Sequence, residues 1–117
     1  IGNSDMHLKN FSLIRQENGQ YTLSPAYDLV PANIILPADK EELALTLCGK
    51  KSNLKKNDFI YFADSLKLTT VQQEKTLRKL LANAEKQLPK ALQCSFLPSE
   101  MQKQFANLFQ VRFSRFT

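Results

Sequence analysis

The apolar residues change period part-way along the chain, and that change restricts the possible fold more than any other feature. Up to about Leu47 the pattern is short and strand-like, and Gly2 and Gly19, two of the three glycines, fall there. From Leu54 onward the spacing is helical. Alternation with period 2 buries one face of a strand, whereas repeats at i, i+3, i+4 and i+7 bury one stripe of a helix. The order predicts a protein that is mainly α with a small β-hairpin near its beginning.

The hairpin is marked by its turn. "FSLI" (Phe11 to Ile14) is a short apolar strand candidate and "YTL" (Tyr21 to Leu23) the returning strand. Between them "QENGQ" contains Asn18-Gly19, a pair that favours the φ > 0 conformations of hairpin turns. Ser24-Pro25 ends the pairing and "AYDLVP" (Ala26 to Pro31) leaves as a loop. Pro31 and Pro37 disfavour a regular helix between them. "ELALTL" (Glu42 to Leu47) is compatible with a strand or a short helix.

Three helices are expected downstream. Phe59, Ile60, Phe62, Ala63 and Leu66 share one face. Thr70 with Gln73 reads as a capping box, opening a stripe of Leu77, Leu80, Leu81, Ala84 and Leu88 that Pro89 closes. Ser99 with Gln102 reads as a second box, starting a helix that turns Met101, Phe105, Leu108 and Phe109 inward. Such stripes ordinarily mean core.

At 117 residues the chain is one domain or part of one. A chain of this length can bury about two thirds of its extended surface. The hydrophobic share of 43 % and charged share of 23 % are ordinary for a globular protein. No apolar run approaches the roughly 20 residues of a membrane-spanning helix, and no signal peptide is visible. Cys48 and Cys94 are far apart and lack nearby metal-ligand partners, so they read as structural thiols of a cytoplasmic protein. The net charge of +5 indicates some affinity for acidic partners. "GKKSNLKK" (Gly49 to Lys56) concentrates four lysines, as either a solvated turn or a phosphate contact.

The chemistry concentrates in "GNSDMHLKNF" (Gly2 to Phe11). Asp5 precedes Asn10 by five positions, and Asp28 follows Asn10 by 18, with the hairpin in between. Phosphoryl transfer of the protein-kinase kind uses these groups in this order. One carboxylate orients the attacking hydroxyl, a side-chain amide oxygen helps to hold Mg²⁺, and a second carboxylate completes the metal's protein ligands. Hard oxygen donors suit Mg²⁺, which keeps several waters. A tight hairpin returns Asp28 towards Asn10. His7 can reach the transferred phosphate as a donor, and Lys9 can neutralise charge there.

"GNSDMHLKNFSLI" and "YTLSPAYDLVP" resemble the catalytic segment of the HipA-type toxin serine/threonine kinases of bacterial toxin–antitoxin modules. The family pattern, N-x-D-x-H-x-K-N-F-S, a hairpin, then P-x-Y-D, is met at Asn3, Asp5, His7, Lys9, Asn10, Phe11, Ser12, Pro25, Tyr27 and Asp28. "LALTLCGKKSNLKKNDF" (Leu43 to Phe59) is similar to the family's next segment. The resemblance implies Asp5 as catalytic base, Asn10 and Asp28 as Mg²⁺ ligands, and His7, Lys9 and Tyr27 lining an ATP site. It also implies a protein substrate such as an aminoacyl-tRNA synthetase and a helix-turn-helix antitoxin partner. Operator DNA would be reached only through that antitoxin, and no membrane is involved.

The expected architecture is a partial protein-kinase-like C-lobe, residues 1–117. Residues 1–47 form the catalytic loop, hairpin and metal-binding loop, and residues 48–117 a helical bundle. No Gly-rich phosphate loop or small-lobe lysine is present, and the chain starts at Ile1 without methionine. Both point to a piece lacking its N-terminal lobe and inactive alone. The alternative is a non-catalytic binding module or split subunit recognising an antitoxin, DNA or a separate small lobe.

Overall fold

A computed structural model describes residues 2–116. A single turn of 3-10 helix over Leu8–Asn10 leads into the antiparallel strands β1 (Leu13–Arg15) and β2 (Tyr21–Leu23). The short helix α1 (Ala32–Ile35) follows, then α2 (Lys56–Ser65), α3 (Thr70–Gln93) and α4 (Ser99–Phe113). The mainly helical chain with one two-stranded hairpin is as the change of period predicts.

The register is Leu13 with Leu23, Ile14 with Thr22 and Arg15 with Tyr21. Ser24 N–H donates to the Ser12 carbonyl at 2.9 Å, and the two serine hydroxyls meet at 3.1 Å, continuing the pairing one step. At the turn Gly19 adopts φ +82°, its N–H donating to Gln16 O, while Gln16 N–H donates to Gln20 O. Only Gly19 of the Asn-Gly pair takes positive φ, the pattern of a three-residue loop closed by a left-handed glycine.

Several sequence expectations shift in detail. A helix does form between the two prolines: Pro31 stands at the N-cap of α1, where its missing N–H costs nothing. The capping box of α3 is Thr69 with Gln72, one residue earlier than expected, and Thr69 Oγ1 accepts from Gln72 N–H at 3.3 Å. Gln73 instead is buried and bridges two elements, donating to Asp64 at 2.7 Å and to Leu68 O at 2.8 Å. Pro89 does not close α3, which continues through it to Gln93. Pro98, not a Ser99 box, caps α4, and Gln102 donates to Leu97 O at 2.8 Å. "ELALTL" is neither strand nor helix. Leu43 makes an isolated parallel bridge with Asn3, and Leu47 an antiparallel one with Lys50. Both cysteines are free and exposed.

The apolar residues of the core among those described are Ala44, Leu47, Leu54 and Phe109, and no large side chain is fully enclosed. Met101, Phe105 and Leu108 are half-buried beside Phe109 on α4, and Phe59 of α2 meets Phe116 with ring centroids 5.2 Å apart. The chain exposes 8903 Å², against about 6,500 Å² for a self-contained monomer of its mass. Large apolar side chains around the hairpin are open: Leu8, Leu13, Tyr21, Leu23 and Leu29 are each more than three-fifths exposed. No helix among the described residues is long and apolar enough to cross a membrane.

Candidate active site

The segment Asn3 to Asn10 is folded by its own polar side chains. Asn10 Oδ1 accepts from His7 N–H at 3.0 Å, and His7 N–H also reaches Asp5 O at 2.9 Å. His7 Nδ1 lies 2.8 Å from the same carbonyl. A carbonyl only accepts, so this contact assigns the proton to Nδ1 and leaves Nε2 for other partners. Asn3 Oδ1 accepts from Asp5 N–H at 3.3 Å. The bonds to Asn3 Oδ1 and Asn10 Oδ1 are the local side-chain-to-backbone kind by which Asn shapes loops.

The hairpin brings the two halves of the expected site together. Asn10 Nδ2 donates to Asp28 Oδ2 at 2.5 Å across the 18 intervening positions. Asn10 is 5 % exposed, so this amide is a fixed group rather than a surface polar residue. Asp28 has φ +55°, a left-handed conformation uncommon outside glycine and tolerated best by Asn and Asp. Asn3 Nδ2 approaches the Asp28 carbonyl at 3.5 Å, and Tyr27 Oη donates to Lys9 O at 3.3 Å. Tyr27 therefore straps the loop before Asp28 onto the turn that carries Asn10.

Asp5 is placed differently. Its carboxylate is 65 % exposed, with His7 Nδ1 3.8 Å from Oδ1. A carboxylate at the surface is open to an incoming hydroxyl. Lys9 is also exposed. Among the described residues no group of three His, Cys, Asp or Glu could hold a metal. With the Asn10 amide turned so that Oδ1 rather than Nδ2 faces Asp28, the pair would be an amide oxygen and a carboxylate, a set that fits an ion which retains water in most of its coordination positions.

Behind the loop, Gly2 adopts φ +62°, and a Cβ there would collide with the Asn33 amide. Asn33 Nδ2 donates to Asp39 O and Glu41 O, both at 2.8 Å, and Ser4 Oγ donates to Asp39 Oδ2. The hydrogen bond from Ser4, with another from Glu41 N–H, holds the Asp39 carboxyl below the usual carboxylate range. Glu42 is buried beneath the same segment. Sequence reasoning missed Asp39 and Glu42, whose partners Ser4, Arg112 and Arg115 are distant in the chain, and Asn33, whose acceptors are main-chain carbonyls that carry no residue signature. An apolar cleft of about 500 Å³ runs beside the site, lined by Met6, Phe11, Leu29, Ala44 and Phe62 among others.

The lysine run is engaged within the chain. Lys50 Nζ pairs with Asp58 at 2.7 Å, Lys51 Nζ with Glu41 at 2.9 Å, and Lys56 Nζ donates to Phe116 O at 3.2 Å. Lys55 N–H donates to Asp58 Oδ2 at 2.8 Å, so Asp58 closes the first turn of α2. The Lys50 bond holds the Asp58 carboxyl low and the Lys50 ammonium high.

With the fold and the loop geometry in place, comparison with known proteins defines the class: the chain belongs to the family of HipA-like C-terminal domains, which it matches over residues 1–91. The chain is similar to a protein of Sinorhizobium fredii named "Putative kinase Y4dM", at 39 % identity over 70 residues. Those residues are 59 % of this chain and 17 % of that protein, so the chain corresponds to a small part of this relative's length.

Proposed function

We propose that this chain carries the catalytic and metal-holding groups of an ATP- and Mg²⁺-dependent serine/threonine protein kinase of a toxin–antitoxin module. The observation that carries the reading is the Asn10–Asp28 contact, made across the hairpin by a buried amide and a carboxylate on a left-handed residue.

In this reading Asp5 accepts the proton of a substrate serine hydroxyl. The hydroxyl oxygen then bonds to the γ-phosphorus as the bond to the β–γ bridging oxygen breaks, and ADP leaves. Asn10, through its amide oxygen, and Asp28 would be the protein ligands of Mg²⁺, whose charge would offset that of the transferring phosphate; in this structure Asn10 turns Nδ2 rather than Oδ1 to Asp28. His7 Nε2, left free by the Nδ1 bond, faces the nucleotide with Lys9, and Tyr27 keeps the two halves in register. The apolar surface around the hairpin is covered by an N-terminal lobe that grips the nucleotide. The substrate is a protein such as an aminoacyl-tRNA synthetase, and a helix-turn-helix antitoxin is the regulatory partner; both rest on family membership.

Single-turnover transfer of γ-phosphate by the full-length protein tests the reading. Asp5→Asn lowers the rate by at least about 10²-fold, the low end for loss of general-base catalysis, and Asp28→Asn lowers it by at least as much through loss of a Mg²⁺ ligand. Retained transfer in either variant overturns the assignment. Equal binding of an antitoxin by both variants and wild type, with no transfer by any of them, supports a binding module instead.

A further inference from the structure

One buried ionic cluster lies outside the site just described and ties the 42–54 segment to the end of α4. The Glu42 carboxylate is 8 % exposed. It accepts from Asn53 N–H at 3.0 Å and Leu54 N–H at 3.4 Å. Arg115 Nη1 reaches its two oxygens at 2.9 and 2.8 Å, and Arg112 Nη1 donates to Oε1. Arg115 Nη1 also donates to Leu54 O at 3.1 Å. Arg112 is in the last turn of α4 and Arg115 just beyond it, outside the 1–91 segment that matches the family.

The cluster touches the catalytic loop through the main chain. Glu42 and Leu43 N–H groups both donate to Lys51 O, and Leu43 is bridged to Asn3, two residues before Asp5. Gly2, Glu42, Leu43, Arg112 and Arg115 line one small cavity of about 170 Å³. A buried ion pair is a poor way to gain stability, since well-packed apolar residues of similar volume often do as well or better. Its directional bonds do impose one arrangement on the groups they join.

We propose that Arg112 and Arg115 are positioning residues for the Asp5 loop, acting through Glu42. The reach to catalysis rests on the kinase reading above; the mechanical claim does not. The clamp holds the 42–54 segment, which presents Leu43 to Asn3 and so sets where Asp5 stands relative to Asn10. A displacement of about 1 Å at such a loop can cost about 10²-fold in rate.

The test uses the full-length protein as wild type, Glu42→Gln, Arg112→Met/Arg115→Met, Arg112→Lys/Arg115→Lys and Asp5→Asn. Amide hydrogen exchange is followed in residues 3–10 and in α3, because local opening reports which segment a contact holds. In Glu42→Gln and the double methionine variant, exchange in the loop accelerates by about tenfold or more while α3 stays within about twofold. The double lysine variant recovers most of the protection. Unchanged protection of the loop overturns the proposal, and so does acceleration spread equally over loop and α3. Single-turnover transfer then falls by about 10- to 100-fold with the KM for ATP–Mg²⁺ nearly unchanged. Loosened exchange with full transfer overturns the catalytic role. Absence of transfer in wild type removes the kinase reading, and the exchange data still decide the clamp.

Discussion

At the scale of single residues, Glu42 and the Asn10–Asp28 pair show how burial converts ordinary side chains into fixed groups. Burial pushes the Glu42 carboxyl up, but the hydrogen bond from Arg115 and the charges of Arg112 and Arg115 outweigh it, so its proton affinity ends below the usual value of 4.5. A depressed acid contributes stability that is fully present above its unfolded value and is lost as pH falls through the folded one. Asp39 and Asp58 are depressed too. Stability is therefore predicted to fall as pH drops below about 4 to 4.5, the unfolded carboxylate range. In urea melts, Glu42→Gln makes that fall shallower, since the variant no longer carries a carboxylate whose proton affinity is depressed on folding. An unchanged acid profile in that variant would contradict the ion-pair account of Glu42.

At the scale of elements, the hairpin and α3 differ in how much of their conformation the residues dictate locally. The hairpin follows from Asn18-Gly19 between two apolar runs, and Gly19 alone meets the demand for positive φ. Gly19→Ala is expected to cost about 1–2 kcal/mol in hairpin stability, the penalty of a left-handed non-glycine residue. Faster amide exchange in β1 and β2 is the readout. In α3 the local signal is misleading. Pro89 cannot donate to the Glu85 carbonyl, yet the helix persists to Gln93, with Leu88 and Leu92 half-buried on either side of Pro89. Burial of that stripe offsets the missing bond. Pro89→Ala is therefore predicted to raise stability by about 1–3 kcal/mol, measured by urea unfolding.

At the scale of the whole molecule, the exposed surface is the informative quantity. The excess of about 2,400 Å² over a self-contained monomer is comparable to one side of a large obligate interface. It includes the apolar face of the hairpin beside the candidate site. The 117-residue chain alone is predicted to bind an apolar fluorescent dye strongly and to transfer no phosphate. The full-length protein is predicted to bind much less dye per mole. Equal dye binding by both would contradict coverage of this face by another part of the protein.

How much of this was legible in the sequence follows from how far apart the partners stand. Asn10, Asp28 and the Asn18-Gly19 turn lie within 19 residues, and turn chemistry with side-chain type suffices to bring them together. Helices α2, α3 and α4 were legible because a stripe at helical period must be buried, although the N-caps of α3 and α4 fell one residue earlier, at Thr69 and Pro98, whereas α1 between its prolines was not. The 42–54 segment was illegible. Its conformation depends on Glu42 meeting Arg112 and Arg115, 70 and 73 positions away, and no local period or propensity records such a pairing. The sequence by itself determined the order of elements and the groups of the candidate site. Only the tertiary structure decided what holds the Asp5 loop from behind, because the free energy of a buried ion pair depends on burial and distance, which exist only once the chain has folded.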